Sequence, residues 1–216
     1  MKTYLILKFQ GAMQAWGGHT YEDLRQSHPF PTRSGIVGLL AGCLGIDRAD
    51  IKEREALNNS IVLTVRADKR DIPAIRITDY HTILGARKVD GNARKDAVQS
   101  YREYLCDAQF TLALEFLPDA EFSLNEVVIG VMKPFYTPVL GRRACPLHRP
   151  LFDAEVNASD ALKALQQVEP FAGTIYSEKL ISGGSQMRVR DVPMPTAVRQ
   201  FATRTISVYG GDNVSE

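Results

Sequence analysis

The chain has 216 residues, 44% of them hydrophobic, with 26 Lys and Arg against 25 Asp and Glu for a net charge of +1. This is enough apolar material for a real core, as one large domain or two small ones, and it excludes wholesale disorder. The basic excess of a free nucleic-acid binder is missing; Cys43, Cys106 and Cys145 stand far apart, with no CxxC pair and no histidine at zinc-finger spacing, which excludes a disulfide framework and a structural zinc site.

In chain order, Thr3–Phe9 is short, β-branched and aromatic and predicts a buried first strand; the opening MKTYLILKF has no cleavage-site pattern. A long loop, Gln10 to Arg33, follows as QGAMQAWGGHTYEDLRQSHPFPTR. Loops of this length inside a compact domain are uncommon unless they bind something. This one carries Met13, Trp16, His19, Tyr21, Arg25, His28, Phe30 and Arg33 on glycine joints, a set suited to stacking on unpaired bases and pairing with phosphates. Trp16 read alone suits a core position equally well. A helix then starts at a cap of Thr32 or Ser34 and places Gly35, Gly38, Gly42 and Gly45 along one face. Each glycine costs up to about 1 kcal/mol relative to alanine, so something must approach that face closely. A packed sheet is the first expectation and RNA along the face the second, with the helix N-terminus as the expected phosphate site. The most apolar run, Ile36–Ile46, is eleven residues, short of the roughly 20 that span a bilayer, and a cytoplasmic protein without membrane contact is expected.

Further along come a second helix at Asp50–Leu57, a strand at Ile61–Ala67, a charged excursion from Asp68 to Asp107, a strand at Gln109–Leu117, a helix at Ser123–Met132 and a fourth strand within 135–156. This order predicts an α+β fold of the ferredoxin-like, RNA-recognition type over residues 1–149. The excursion, about 68–107, protrudes from it as a β-hairpin thumb whose tip, Gly85–Ser100, is too polar to pack. It either solvates itself or reaches across a nucleic-acid backbone. A short helix at Ser159–Gln166 and strands at Thr174–Leu180, Met187–Val192 and Arg199–Tyr209 predict a small β-rich C-terminal subdomain, 150–216, ending in a frayed polar tail.

The charges are segregated. Glu103 to Met132 has six acidic residues and no lysine or arginine, whereas Lys133 to Arg149 has Lys133, Arg142, Arg143 and Arg149 and no acid, so near-neutrality is a sum of patches. Within KPFYTPVLGRRACPLHRP, two arginines behind Gly141 can offer two guanidinium forks and a backbone amide to neighbouring phosphates; the alternative is that one of them pairs with an acid. The catalytic inventory is thin. His19, His28, His81 and His148 are scattered, and Tyr80-His81, the best local pair, faces opposite ways if it lies on a strand. GxxxxGK, HExxH and GxSxG are all missing.

The blocks FPTRSGIVGLL, DYHTILGAR, REYLCDAQFTLAL, KPFYTPVLGRRACPL, IYSE and RQFATR, in this order and over essentially the whole chain, resemble the CasD family of subunits of the type I-E CRISPR surveillance complex, Cascade. The resemblance implies the thumbed ferredoxin-like fold and one copy per complex, acting in antiviral defence. The subunit would sit on the crRNA 5′ handle and cap the filament of backbone subunits. It implies two protein partners, the adjacent backbone subunit reached by the thumb and the large PAM-recognising subunit, and no metal, cofactor or catalysis. The RNA-binding set expected on this basis is Gln14, Trp16, Arg25 and Arg33 in the first loop, Tyr80, His81, Arg87 and Arg102 on the thumb, and Tyr136, Gly141, Arg142 and Arg143 in the basic segment. Arginines would take phosphates, Gln14 a base edge or sugar hydroxyl, and aromatics would stack. The rival reading is a metal-independent endoribonuclease processing CRISPR repeat RNA, as a related subunit of another subtype does. It needs a tyrosine, a lysine and a histidine on one phosphate, and no lysine stands between Arg70 and Arg87 beside Tyr80 and His81.

Overall fold

The computed structural model describes residues 1–88, 90–196 and 200–210. Strand β1 (Lys2–Gln10) is buried continuously from Tyr4 to Phe9, Lys8 included, as a strand must be when both of its faces are covered. The stretch expected to be an irregular loop is instead β2 (Met13–Gln14), β3 (Trp16–Tyr21) and β4 (Leu24–His28). These strands escape sequence reading because β4 lies parallel to a strand some 75 residues later, Arg25 opposite Arg102, and glycine-rich strands show no alternation.

Helix α1 (Arg33–Leu44) is capped by Thr32, whose side chain accepts from the Gly35 amide, and closes at Gly45 in the left-handed region at φ 78°. Helix α2 (Ile51–Ser60) starts at Asp50, whose carboxylate accepts from the Glu53 amide, and leads into β5 (Ile61–Asp68). The thumb is a nine-pair antiparallel ribbon of β6 (Ile75–Ile83) and β7 (Val98–Cys106). Then come β8 (Gln109–Phe116), α3 (Leu124–Met132) with a Ser123/Glu126 capping box, and β9 (Phe152–Ala158). The chain continues through α4 (Ala161–Leu165), β10 (Gly173–Ser177), β11 (Ser185–Pro193) and β12 (Phe201–Tyr209). The expected strand start at Arg199 and the polar tail from 211 lie outside the described residues.

One seven-stranded sheet runs β11-β12-β10-β5-β8-β1-β9, antiparallel throughout; the thumb belongs to a second sheet, β2-β7-β4-β3 with β6 on β7. The main core lies under α1 and α3, where Leu5, Leu7 and Phe9 meet Ile36, Leu40 and Val127; on the opposite face Tyr4, Ile6 and Ala113 pack on Ala164 and Leu165 of α4. Arg66, fully buried, fixes α4 to that face: its guanidinium donates to Asp68 Oδ1 (2.7 Å), Thr111 Oγ1 (3.1 Å), and the carbonyls of Leu165 (2.7 Å) and Val168 (3.0 Å). The expected boundary at 149/150 does not separate two sheets. It falls just before β9, which pairs with β1, and β10 pairs with β5, so the sheet runs on across it.

Candidate nucleic-acid interface

A cleft of about 1030 Å³ opens where the two sheets meet α1. Its walls are the β3–β4 hairpin (Gly17, Gly18, Thr20, Arg25, Gln26), the segment Tyr136 to Arg143, and Arg190 and Phe201 of the β11–β12 hairpin; Ser34, Gly35, Gly38 and Gly42 of α1 line it as well. Arg25, Arg142, Arg143 and Arg190 line it with no acidic residue among the described residues, a local field suited to a polyanion even though the whole chain is nearly neutral.

The glycine stripe of α1 faces this cleft. A Cβ on Gly38 or Gly42 would meet nothing within 4 Å, while one on Gly35 would meet Trp16 Cε3 at 2.9 Å. The first expectation, a sheet packed along the stripe, is therefore corrected: the indole covers Gly35, the Phe135 ring covers Gly45, and Gly38 and Gly42 between them are open. The helix N-terminus is not the open phosphate site expected. Asp191, brought from β11, accepts the Arg33 amide through Oδ2 at 2.7 Å, and Thr32 Oγ1 accepts from Gly35 at 3.3 Å.

Three residues of the expected RNA-binding set are structural. Gln14 is fully buried, donating through Nε2 to the Ala108 carbonyl (2.7 Å) and accepting from Trp16 Nε1 (3.1 Å). Trp16 is fully buried too, stacked on Phe9 at 5.5 Å between centroids; the core reading of this residue holds, although the ring backs the cleft wall. Arg33 is 8% exposed. Its guanidinium donates to Asn58 Oδ1 (2.8 Å), the Asn58 carbonyl and the Ile61 carbonyl (3.1 Å) and pairs with Glu178. A buried guanidinium that is already fully engaged has little to offer a phosphate.

The basic segment is folded tightly against β2 and β3. Gly141 sits at φ 88°, where a Cβ would overlap the Ala15 carbonyl, and Ala15 N–H donates to the Leu140 carbonyl at 3.1 Å. The paired arginines divide. Arg142 is half-buried, its Cζ 4.6 Å from the centre of the Tyr104 ring and its Nη atoms donating to the carbonyls of Glu103 (3.1 Å) and Arg25 (3.0 Å); Arg143 is exposed at the cleft. Neither pairs with an acid in the ion pairs among the described residues. Tyr136 is exposed beside the end of α1, its amide donating to the Gly42 carbonyl at 3.1 Å. Arg25 is half-buried, its Nη1 donating to the Glu22 (2.5 Å) and Leu24 (3.1 Å) carbonyls.

The thumb residues do not line the cleft. Tyr80 packs on Tyr101 across the ribbon at 5.4 Å, and both are exposed. His81, opposite Ser100, belongs to the other face with Arg102, whose Nε donates to Ser100 Oγ at 3.1 Å. Arg87 is exposed on the tip, opposite Ala93. Tyr80 and His81 thus point to opposite sides of the ribbon and make no catalytic pair.

A model of the family described as CRISPR-associated protein (Cas_Cas5) matches residues 4–207 of the chain. The chain belongs to this Cas5 family. CRISPR system Cascade subunit CasD of Escherichia coli (strain K12) is 47% identical to it over 224 aligned positions, covering the whole of both chains. A chain of a solved CRISPR RNA-guided surveillance complex superposes with a TM-score of 0.73 at 29% identity, covering 95% of this chain and 89% of that one. A crystal structure of a Cas protein gives 0.64 at 26% identity over 96% and 93% of the two chains. This Cas5 chain is itself mixed α+β and sheet-rich, and it is similar in fold to both. Sequence reasoning missed the contribution of Arg190 and Phe201 to its cleft, since only tertiary pairing brings β11 there. The openness of Gly38 and Gly42 did leave a signal, the spacing of the glycines.

Proposed function

We propose that this chain is a CasD-type subunit of a type I-E Cascade surveillance complex that binds the crRNA 5′ handle in the arginine-lined cleft and does not cut it. The observation that carries this reading is the cleft itself: among the described residues it has four arginines, no acid, and a helix face with Gly38 and Gly42 bare so that a backbone can come close. Arg25, Arg142 and Arg143 take phosphates in this reading, and Tyr136 offers a stacking surface. Gln14, Trp16 and Arg33 act indirectly, by holding the wall and α1 in place.

Strand order β9-β1-β8-β5, with α1 and α2 in one crossover and α3 in the other, supports a ferredoxin-like reading of the chain from β1 through β9. Tyr80, His81, Arg87 and Arg102 on the projecting ribbon serve the guide beyond the handle and the adjacent backbone subunit, while the large PAM-recognising subunit docks on the body. In this reading the division of the chain into 1–149 and 150–216 moves past β9, the fourth strand of the ferredoxin-like part, and the β-rich extension runs from α4 to β12.

The test is to assemble the chain with crRNA and the remaining Cascade subunits and to map the nucleotides that crosslink to it. Crosslinks confined to the handle are expected, and repeat RNA incubated with the purified chain stays intact with or without divalent metal. Crosslinks confined to the spacer would overturn the handle assignment, and cleavage abolished by His81→Ala would install the endoribonuclease instead.

A further inference from the structure

One wall of the cleft comes from a part of the chain in which no RNA contact was expected. Along β11, Val189 and Asp191 are buried while Arg188 and Arg190 are exposed. The register with β12 shifts between Arg190 and Val192, so Asp191 occupies a β-bulge, a device that re-aims the side chains around it. Asp191 turns inward and takes three donors: the Arg33 amide (2.7 Å), Arg204 Nε (2.6 Å) and Arg204 Nη2 (2.7 Å). Arg204 Nη1 continues to Glu178 Oε1 (2.5 Å), whose other oxygen accepts the Leu63 amide (2.7 Å). The bulged strand is thereby bolted to the start of α1, the helix whose glycines line the cleft. Its neighbour Arg190 faces the cleft, with Nε donating to the Phe201 carbonyl at 3.0 Å.

We propose that Arg190 is a further phosphate ligand for the RNA strand in this cleft, held in register by the buried Asp191–Arg204–Glu178–Arg33 network. This rests on the reading of the cleft as an RNA site and adds to it a second, distant part of the chain that closes on the same strand. A guanidinium anchored through Nε to a carbonyl presents its terminal nitrogens in a fixed plane, the arrangement that favours a phosphate fork over a diffuse contact. Arg188 provides an internal control, because it is exposed on the same strand and does not line the cleft.

The experiment uses the full chain and a fluorescent single-stranded RNA carrying the repeat-derived 5′ handle, titrated at several salt concentrations. Arg190→Ala is expected to weaken binding about tenfold. It should also flatten the slope of log affinity against log salt by about 0.7, one lost single-strand phosphate contact, equally for base-substituted handles. Arg190→Lys should recover most of the slope, and Arg188→Ala should match the parent. Melting temperatures of all variants are measured alongside. Parental affinity and slope for Arg190→Ala, in a series where Arg142→Ala/Arg143→Ala loses binding, would overturn this inference and leave the RNA site standing. If neither variant changes binding, the RNA site itself fails. An equal loss on Arg188→Ala would show a diffuse field, and a loss that depends on base identity a base reader; either also overturns the proposal.

Discussion

Arg142 and Arg143 are neighbours in sequence with opposite structural commitments. Arg142 lies over Tyr104 and ties the carbonyls of Glu103 and Arg25 together, so it joins the thumb base to the β3–β4 hairpin. Removing it leaves two carbonyls without that donor and strips the ring of its cation, and Arg142→Ala is expected to cost about 1–3 kcal/mol. Arg143→Ala, at an exposed position, is expected to stay within about 0.5 kcal/mol of the parent while still weakening RNA binding at every sequence tested. Urea unfolding read beside RNA titration checks both; equal loss of stability in the two variants would contradict the division. Residue type disclosed the chemistry of these positions, but not their exposure. Gln14, Trp16 and Arg33 carry the right groups for RNA, yet their partners, Ala108, Phe9, Asn58 and Glu178, arrive from elsewhere in the fold and use those groups up.

At the scale of elements, α1 trades stability for a bare face. Gly38 and Gly42 have nothing near where a Cβ would stand, so Gly38→Ala and Gly42→Ala are each expected to stabilise the protein, by up to about 1 kcal/mol. Gly38→Leu should fold equally well and obstruct the cleft, lowering RNA affinity; a Leu variant with parental affinity would show that RNA does not run along α1. The thumb tip offers a second test. Ile83 is opposite Val98, so a two-residue Asn-Gly turn can replace residues 84–97 without altering either strand. That variant is expected to melt like the parent and to assemble poorly with the adjacent backbone subunit, which size-exclusion chromatography of the mixture would reveal. The elements legible in the sequence were those written locally, such as the Thr32 cap of α1, the helix starts at Asp50 and Ser123, and the apolar run of β1. Strands β2 to β4 were not legible, because their order comes from β7, far along the chain.

At the scale of the whole molecule, connectivity carries a kinetic consequence. Strand β1 is hydrogen-bonded on one side to β8 and on the other to β9, Tyr4 lying between Glu115 and Val156. Its last residue, Gln10, precedes the first of β8, Gln109, and ribosomes add about 5–20 residues per second, so this apolar strand waits on the order of 5–20 s for its first partner. Contacts that distant form late, because their loop-closure entropy is met before they return any stabilisation. Leu5→Ala and Leu7→Ala, which empty fully buried sites, are therefore expected to destabilise the protein by about 2–5 kcal/mol chiefly through faster unfolding, with the refolding rate nearly unchanged. Stopped-flow refolding that slows in proportion to the lost stability would place β1 in the nucleus instead. Until β8 and β9 are made, the sequence LILKF is an unpaired hydrophobic strand edge in the nascent chain. Its protection during synthesis has to come from outside the molecule, from chaperones that hold apolar strands or from the subunits it is built alongside.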